Sequence, residues 1–503
     1  MKNRNFFLIV LLITIVLFSV GQVPSSALTE PSPWTRQLKK YSNILSLIKA
    51  IYPEPVREKK LVFASISDFL KGLDPHSYFL DPDAQRTLDE EQQGMYYGIG
   101  TQIIKFEKRL AVVAVIENSP AQQHGIKPGD IIVSIDGKNT DELSENESLM
   151  RIRGHKSSIV SLLIKREGIL APIRFNIKRK EIPLKSIPYA IQLPQDPRIG
   201  YIGILSFGNT TADELKKTLN ILLKEKKVKA VIIDLRWNSG GSLFAAVEAA
   251  DFFLPKGKTI VSIRGRNEEK EFKAEKNHQY ENLNIAILIN RGSASASEIL
   301  AASLQDHKRA KLYGTRSWGK GLVQTVTRLP FDTAIALTTA KYYTPSNKCV
   351  QRDYSHLDDY YFFLKNKNYD SDRSIKGGVI PDVFVPSEIY PDNVYPLFKN
   401  GTFFDFSCFL IRQDEKLSPL FRADESTLNA FKKYLNEKKV KYNEAIFNEN
   451  SNFICREITR ESLSLKFSIL EGMKAFLESD PVTQSAVQDL KKNIENNLKN
   501  KYE

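Results

Sequence analysis

Apolar side chains recur every three or four positions in residues 34–70, which is the spacing of one helix face. The members of this stripe are Leu38, Tyr41, Ile44, Leu45 and Ile48. Pro53 and Pro55 interrupt the stripe, a second apolar segment covers residues 61–70, and residues 73–77 are typical of a turn. The pattern predicts a helical N-terminal region.

Residues 96–167 carry shorter apolar runs that are separated by turn residues. The predicted strands are residues 100–104, 110–116, 130–135 and 159–164, and the turns are residues 118–120, 127–130 and 136–137. This pattern predicts a small β-rich domain of about one module in size.

Residues 195–385 alternate between continuous apolar runs and amphipathic segments. The predicted strands are residues 201–205, 228–235 and 285–289, and the predicted helices are residues 211–223, 243–253 and 296–304. The alternation predicts a largely parallel sheet covered by helices. Residues 400–503 have a mainly helical pattern, with a final stripe formed by Val487, Leu490, Ile494 and Leu498.

The chain begins with a basic segment that contains Lys2 and Arg4, followed by an apolar run over residues 6–20 and small residues up to Ala27. This order is typical of a signal peptide, and the run is shorter than the ~20 residues of a spanning helix. We expect cleavage and export to a periplasmic or other extracytoplasmic space. An uncleaved anchor is the alternative, and it would leave the body of the chain on the same side of the membrane.

The composition narrows the class of protein. A chain of 503 residues predicts several domains. Its three cysteines, Cys349, Cys408 and Cys455, exclude a disulfide scaffold. The net charge is +13, but no nucleic-acid-reading module is recognisable, so nucleic acid is not an expected partner. The basic surface is compatible with peripheral membrane association.

Ser295 is the first candidate for chemistry. A Gly/Ser/Ala loop follows the predicted strand 285–289, and the next helix starts near residue 296. A serine at a helix N-terminus lies beside N–H groups that favour an anion. Ser295 and Glu298 also have the spacing of a capping box, a purely structural role. Spacing does not choose among Ser293, Ser295 and Ser297.

Lys320 lies between two glycines, so substrate or backbone can approach it closely. A lysine acts as a base only when neutral, which requires burial to pull its pKa below about 10.4. The alternative is an exposed lysine in a turn. The chain has six histidines, none in a triad signature, and this favours a serine–lysine pair.

Residues 234–241 (DLRWNSGG) form a third candidate element, between a predicted buried strand and a helix. Glycine N–H groups there are suited to stabilise the oxyanion that forms when a carbonyl is attacked. A tight strand-to-helix turn would select the same glycines.

Taken in order, residues 234–241, 292–299 (GSASASEI) and 319–324 (GKGLVQ) resemble the C-terminal processing (tail-specific) serine peptidases. Residues 73–77 (LDPHS), 341–346 (KYYTPS) and 377–382 (GGVIPD) extend the resemblance to about residues 60–390. Ser239 and Asn347 depart from the family pattern.

The resemblance implies an α/β protease domain with a crotonase/ClpP-like sheet, and it assigns roles to residues. Ser295 would be the nucleophile, Lys320 the general base and Gln324 the residue that orients the base. The oxyanion donors would be the N–H of Ala296 and that of Gly240 or Gly241. No metal or organic cofactor is implied.

The β-rich module resembles a PDZ domain. Its carboxylate-binding loop would be formed by Tyr97, Gly98, Ile99 and Gly100. The strand beside that loop would accept a peptide as an added strand. Arg153 is expected to couple this module to the protease.

Together these features predict a signal peptide at 1–27, a helical region at 28–88, a PDZ domain at 89–180, a peptidase domain at 181–395 and a helical region at 396–503. The predicted function is that of an exported serine endopeptidase. It would cleave proteins with free C-terminal tails through a Ser–Lys acyl-enzyme. A catalytically silent PDZ scaffold that binds C-termini is the alternative.

Overall fold

The computed structural model describes residues 32–107, 109–266, 268–276, 279–280, 282–355, 360, 376–386, 391, 394–414 and 416–499. The predicted signal peptide lies outside these residues. The chain divides into one compact unit that ends at Leu70 and a second that begins at Lys71. In the described part of the chain, every helix is too short or too polar to cross a membrane.

The first unit contains α1 (Pro33–Ile51) and nearly all of α2 (Glu58–Lys71). Ser32 caps α1 by accepting the Thr35 N–H at 3.2 Å, and Pro33 occupies the first helical turn, where its missing N–H costs nothing. The two helices separate at the predicted proline break. The predicted N-terminal helical pattern is therefore confirmed.

The second unit begins with β1 (Tyr78–Leu80) and α3 (Pro82–Gln93). A β-rich module follows, with β2 (Met95–Gly98), β3 (Thr101–Phe106), β4 (Arg109–Val115), α4 (Pro120–Gln123), β5 (Ile131–Ile135), β6 (Lys138–Asn139), α5 (Glu145–Ile152), β7 (Ile159–Lys165), β8 (Ile173–Lys178) and β9 (Lys180–Pro183). Within the described residues its sheet has the order β3-β4-β5-β7-β8, with β6 on β5, and β2 pairs with β9. Strand β3 therefore lies at a sheet edge.

The protease part of the chain contains β10 (Tyr189–Leu193), β11 (Asp196–Gly203), α6 (Thr211–Asn220), β12 (Ala230–Asp234), α7 (Leu243–Asp251), β13 (Thr259–Gly265), β14 (Glu269–Lys273), β15 (Asn284–Ile289), α8 (Ala296–Asp306), β16 (Lys311–Gly314), β17 (Leu322–Leu329), β18 (Thr333–Tyr343) and β19 (Val383–Phe384). The order β10-β11-β12-β15-β16-β19 forms one sheet, parallel from β11 onward. The predicted parallel sheet is confirmed.

A second, antiparallel sheet was not predicted. It has the order β1-β18-β13-β14, and β17 pairs with β18. Most residues of β17 are exposed, so the strand lacks the continuous apolar run that identifies a buried strand in a sequence. This sheet matters because Lys320 and Gln324 lie at the start of the β17–β18 hairpin.

The C-terminal part is helical, as predicted. Its elements are α9 (Tyr395–Lys399), α10 (Thr402–Gln413), α11 (Glu425–Glu437), α12 (Glu444–Glu449), α13 (Ser451–Lys466), α14 (Ile469–Ser479) and α15 (Pro481–Lys499). Helix α15 buries Val482, Val487 and Leu490 against Ile232 and Leu288 of the parallel sheet. Helices α6–α8 cover the opposite face, so the sheet is buried on both sides.

Candidate active site

Ser295 lies where strand β15 has ended and helix α8 is about to begin. Its φ is +56°, a left-handed conformation that is unfavourable for a residue with a side chain. Strain of this kind persists only where the surroundings enforce it, and it is concentrated at functional sites. The Ser295 side chain is half-buried, with access to solvent.

The hydrogen bonds distinguish the three serines that spacing left open. The Ser293 hydroxyl donates to the Leu235 carbonyl at 2.8 Å, and the Ser297 hydroxyl donates to the Asn238 carbonyl at 2.9 Å. Both of these serines are fully buried. Within the described residues, the Ser295 hydroxyl oxygen faces the Glu298 N–H in a capping box, but the hydroxyl itself donates to no other residue and forms no cap hydrogen bond of normal geometry. Ser295 is therefore the serine whose hydroxyl is available for chemistry.

The carboxylate of Glu298 joins the serine loop to the lysine loop. Glu298 is fully buried. Its donors are the N–H groups of Ser295 (2.8 Å), Gly319 (2.7 Å) and Lys320 (2.9 Å) and the hydroxyls of Ser317 and Tyr342. Burial raises the pKa of Glu298, and the donors oppose that rise by stabilising the ionised form. The sequence suggested a capping box, and the Ser295 N–H bond is one part of it.

Lys320 is in the environment that a lysine base requires. Burial lowers the pKa of its amine, and the charges of Glu298 and Asp74 partly oppose this. Its Nζ donates to Gln324 Oε1 at 2.8 Å, which is the contact expected of an orienting glutamine. Within the described residues this amine is bonded to Gln324 rather than to the Ser295 hydroxyl; catalytic hydrogen bonds are often long until substrate binds.

The turn at residues 73–77 contacts the site, a role that its sequence pattern did not predict. Gln324 Nε2 donates to the His76 carbonyl, so the turn fixes the amide that holds Lys320. Burial and the Lys320 charge lower the pKa of His76 to about 4, which leaves its ring neutral at neutral pH. Burial opposes ionisation of Asp74, but hydrogen bonds led by that of the Ser77 hydroxyl lower its pKa.

Residues 234–241 pack directly against the serine. Asn238 is fully buried, and its side chain accepts the Gly240 N–H and donates to the Ile204 carbonyl, each at 2.8 Å. A Cβ on Gly240 would lie 2.8 Å from Ser295 Cβ and 2.9 Å from the Ala296 nitrogen. Only glycine permits this approach.

Backbone hydrogen bonds also distinguish Gly240 from Gly241 as candidate oxyanion donors. The Gly240 N–H is already held by Asn238. In the described chain, the N–H groups of Gly241 and Ala296 donate to no other residue. The free N–H of Ala296 is expected for the first residue of a helix. Gly241 and Ala296 are therefore the pair with unused donors.

The predicted carboxylate-binding loop connects β2 to the edge strand β3. Its carbonyls are used internally: Tyr97 accepts from Gly154, Ile99 from Ala121, and Gly100 from Ile116. The N–H groups of Ile99 and Gly100 make no hydrogen bond to the rest of the described chain. The Ile99 side chain is buried in the module core, so this residue can offer a ligand only its backbone.

Arg153 connects the β-rich module to helix α3. Its guanidinium lies 2.8 Å from the Glu90 carboxylate and 4.3 Å over the ring of Tyr96. On the same helix, Asp89 accepts from Arg328 of β17 at 2.8 Å. A contact path toward the strand of Gln324 is therefore present. Coupling along this path remains a prediction.

Comparison with known proteins gives consistent matches. The peptidase family S41 pattern matches residues 198–358, and a PDZ domain pattern matches residues 112–166. A carboxy-terminal-processing protease of Bartonella bacilliformis is 36% identical over 321 residues, which are 63% of this chain and 73% of that protein. The carboxy-terminal processing protease CtpA of Bacillus subtilis is 34% identical over 392 residues, 75% of this chain and 82% of its own.

Among solved structures, the photosystem II D1 C-terminal processing protease covers 73% of this chain and 90% of its own, with 24% identity and a TM-score of 0.39.

Replacing Glu298 by glutamine is expected to lower the pKa of the Lys320 amine further, because the Glu298 charge raises it. The measurement is the rate at which Lys320 reacts with an amine-directed reagent as a function of pH, followed by mass spectrometry of the peptide. The midpoint should move to lower pH, because the charge that favours the ammonium form is removed. Asp306→Asn, at the far end of α8, is the control and should leave the midpoint in place. An unchanged or higher midpoint in Glu298→Gln would show that Glu298 carries no charge.

Proposed function

The chain belongs to peptidase family S41, as a C-terminal processing serine peptidase with a PDZ domain, and from this premise we propose that it cleaves exported proteins through a Ser295–Lys320 acyl-enzyme. The observation that carries the proposal is the buried Glu298 carboxylate, which accepts N–H groups from both Ser295 and Lys320. These two hydrogen bonds hold the backbone of Ser295 and the backbone of Lys320 beside the same carboxylate.

In the proposed first step, the neutral Lys320 amine takes the Ser295 proton while Ser295 Oγ attacks the scissile carbonyl carbon. The resulting ammonium then gives this proton to the leaving amine nitrogen as the peptide C–N bond breaks. Water attacks the ester in the second step, with Lys320 again accepting and returning a proton. Burial of Lys320 supports this role because it favours the neutral form.

The negative charge of the tetrahedral intermediate requires donors close to Ser295. We assign them to the N–H groups of Gly241 and Ala296, because the Gly240 N–H is held by Asn238. Gly240 contributes through its missing side chain, which leaves room beside Ser295. Loss of one such donor typically costs ~10²–10³ in rate.

The PDZ domain is proposed to bind the free C-terminus of the substrate. The unused N–H groups of Ile99 and Gly100 are suited to a carboxylate, and the edge strand β3 can accept the adjoining residues as an added strand. The loop from Tyr97 to Gly100 then selects substrates by their terminal carboxylate, and the peptidase site cuts the bound chain.

Export is proposed from the basic and apolar segments of residues 1–27. The substrates would accordingly be proteins of the periplasm or of another extracytoplasmic space. Peripheral association with the membrane is compatible with the net charge of +13.

Lys320→Met is expected to reduce cleavage of a protein with an apolar C-terminus by about 10³-fold or more, because the serine loses its base. Cleavage by the unaltered chain should rise with pH through the Lys320 pKa, which lies below the ordinary lysine value. Lys308→Met, an exposed position just beyond α8, is the matched control and should cleave normally. Cleavage at the normal rate by the Lys320 variant would exclude the Ser–Lys mechanism.

A substrate whose C-terminal carboxylate is converted to an amide should show a kcat/KM at least tenfold lower, since a charged hydrogen bond contributes about 1.5–3 kcal/mol. Gly100→Ala serves as the matched variant, because the added Cβ would lie 2.3 Å from Ser119 Cβ. It should cleave the acid and the amide at the same low rate. Equal cleavage of both substrates by the unaltered chain would refute carboxylate recognition.

Expression of the full chain should give an exported protein that begins at Leu28, as determined by N-terminal sequencing. Leu12→Arg places a charge in the apolar run and should leave the unprocessed chain inside the cell, because a charge there opposes membrane insertion. Recovery of Met1 on the exported protein would favour the uncleaved anchor instead.

A further inference from the structure

Residues 237–241, called the oxyanion loop below, follow Arg236, and Arg236 forms an ion pair with a residue of the C-terminal helical region. Asp480 lies immediately before helix α15 and is almost fully buried. Its carboxylate is 2.9 Å from the guanidinium of Arg236. The same carboxylate accepts the Thr483 N–H at 3.0 Å and the Thr483 hydroxyl. Asp480 thus links the first turn of α15 to the segment that leads to Gly240 and Gly241.

Arg236 has a fixed position between two carboxylates. Its side chain lies 2.7 Å from Asp234, whose carboxylate also accepts the Arg236 N–H at 2.9 Å and the Tyr201 hydroxyl at 2.8 Å. Both Arg236 and Asp480 have side chains that are at most 10% exposed. A buried guanidinium with two charged acceptors has little freedom, because moving it would leave a charge unpaired.

The helix that follows Asp480 is packed against the parallel sheet. Helix α15 begins at Pro481 and buries Val482, Val487 and Leu490 against the parallel sheet. A second bridge anchors the same helix further along, where Asp489 lies 2.6 Å from Lys311 Nζ and accepts the Tyr313 hydroxyl at 2.9 Å. Asp480 therefore presents its carboxylate to Arg236 from a packed helix.

We propose that Asp480 is a positioning residue for catalysis: it sets Arg236, and through it the loop at 237–241 that offers the Gly241 N–H to the oxyanion. The proposal rests on the proposed Ser295–Lys320 peptidase activity. By this proposal the C-terminal region helps to position the oxyanion donor, in addition to packing against the parallel sheet.

Asp480, immediately before helix α15, and Asp489, within it, allow a paired test. Asp480→Asn keeps the shape of the side chain and removes the charge that Arg236 contacts, whereas Asp489→Asn does the same at a bridge outside the oxyanion loop. Each variant of the full chain is measured for kcat and KM on a tail-bearing substrate, for the rate of Ser295 labelling by a fluorophosphonate, and for Tm. A small misplacement of a catalytic group can cost up to ~10² in rate.

Asp480→Asn should lower kcat and the labelling rate by about tenfold or more, with KM within about twofold of the unaltered value. Asp489→Asn should keep both rates, and its Tm should fall less, because the Lys311–Asp489 pair is substantially exposed to solvent. Equal losses of kcat in the two variants, or an unchanged kcat in Asp480→Asn, would overturn the proposal and leave Asp480 a support of the helix.

Should Asp480→Asn fail to fold, Thr483→Val provides the second test, since it removes one donor that orients the Asp480 carboxylate. It should lower kcat by about twofold to fivefold at unchanged KM, and an unchanged kcat would reject the inference. If the unaltered chain itself cleaves no tail-bearing substrate and resists labelling, the failure lies in the proposed function and not in the role of Asp480.

Discussion

The buried carboxylate of Glu298 holds together two loops that come from different sheets. The serine loop follows β15 of the parallel sheet, and the lysine loop precedes β17 of the antiparallel sheet. Both donate N–H groups to Glu298. A buried charge is costly unless it is fully hydrogen-bonded. Here three N–H groups and the Ser317 hydroxyl donate to it, and the Tyr342 hydroxyl is shared between Glu298 and the Ser295 carbonyl. The bonds that make the charge tolerable are the same bonds that assemble the site.

This arrangement also explains how Ser295 is kept in a left-handed conformation. Its N–H is held by Glu298, and its carbonyl accepts from the Tyr342 hydroxyl at 3.2 Å and from the N–H groups of α8. Backbone bonds on both sides supply the energy that a positive φ of a residue with a side chain requires. The side chain is left free of these bonds, so the hydroxyl stays available for attack.

The C-terminal helices contact two other parts of the chain, the parallel sheet and the β-rich module. Helix α15 closes the second face of the parallel sheet and presents Asp480 to Arg236. Helix α10 contacts the β-rich module, where Asp405 pairs with Arg109 at 2.8 Å and Phe404 packs on Phe106 with ring centroids 5.4 Å apart. The C-terminal region, which carries no chemical motif, therefore contacts both the parallel sheet and the β-rich module.

The sequence by itself determined the parallel sheet, its helices, the β-rich module and the family, because buried strands and amphipathic helices leave local patterns of apolar residues. It also supplied Ser295, Lys320, Gln324 and the Gly240–Gly241 pair as candidates. It did not predict β17, because the exposed residues of this strand interrupt the apolar pattern. For Glu298 the local spacing predicted only a role in a helix cap. The tertiary structure decided which serine is unbonded, which glycine N–H is unused, and that His76 and Asp480 lie behind the site. These are contacts between residues far apart in the chain, formed through burial and hydrogen bonding, and no local spacing encodes them.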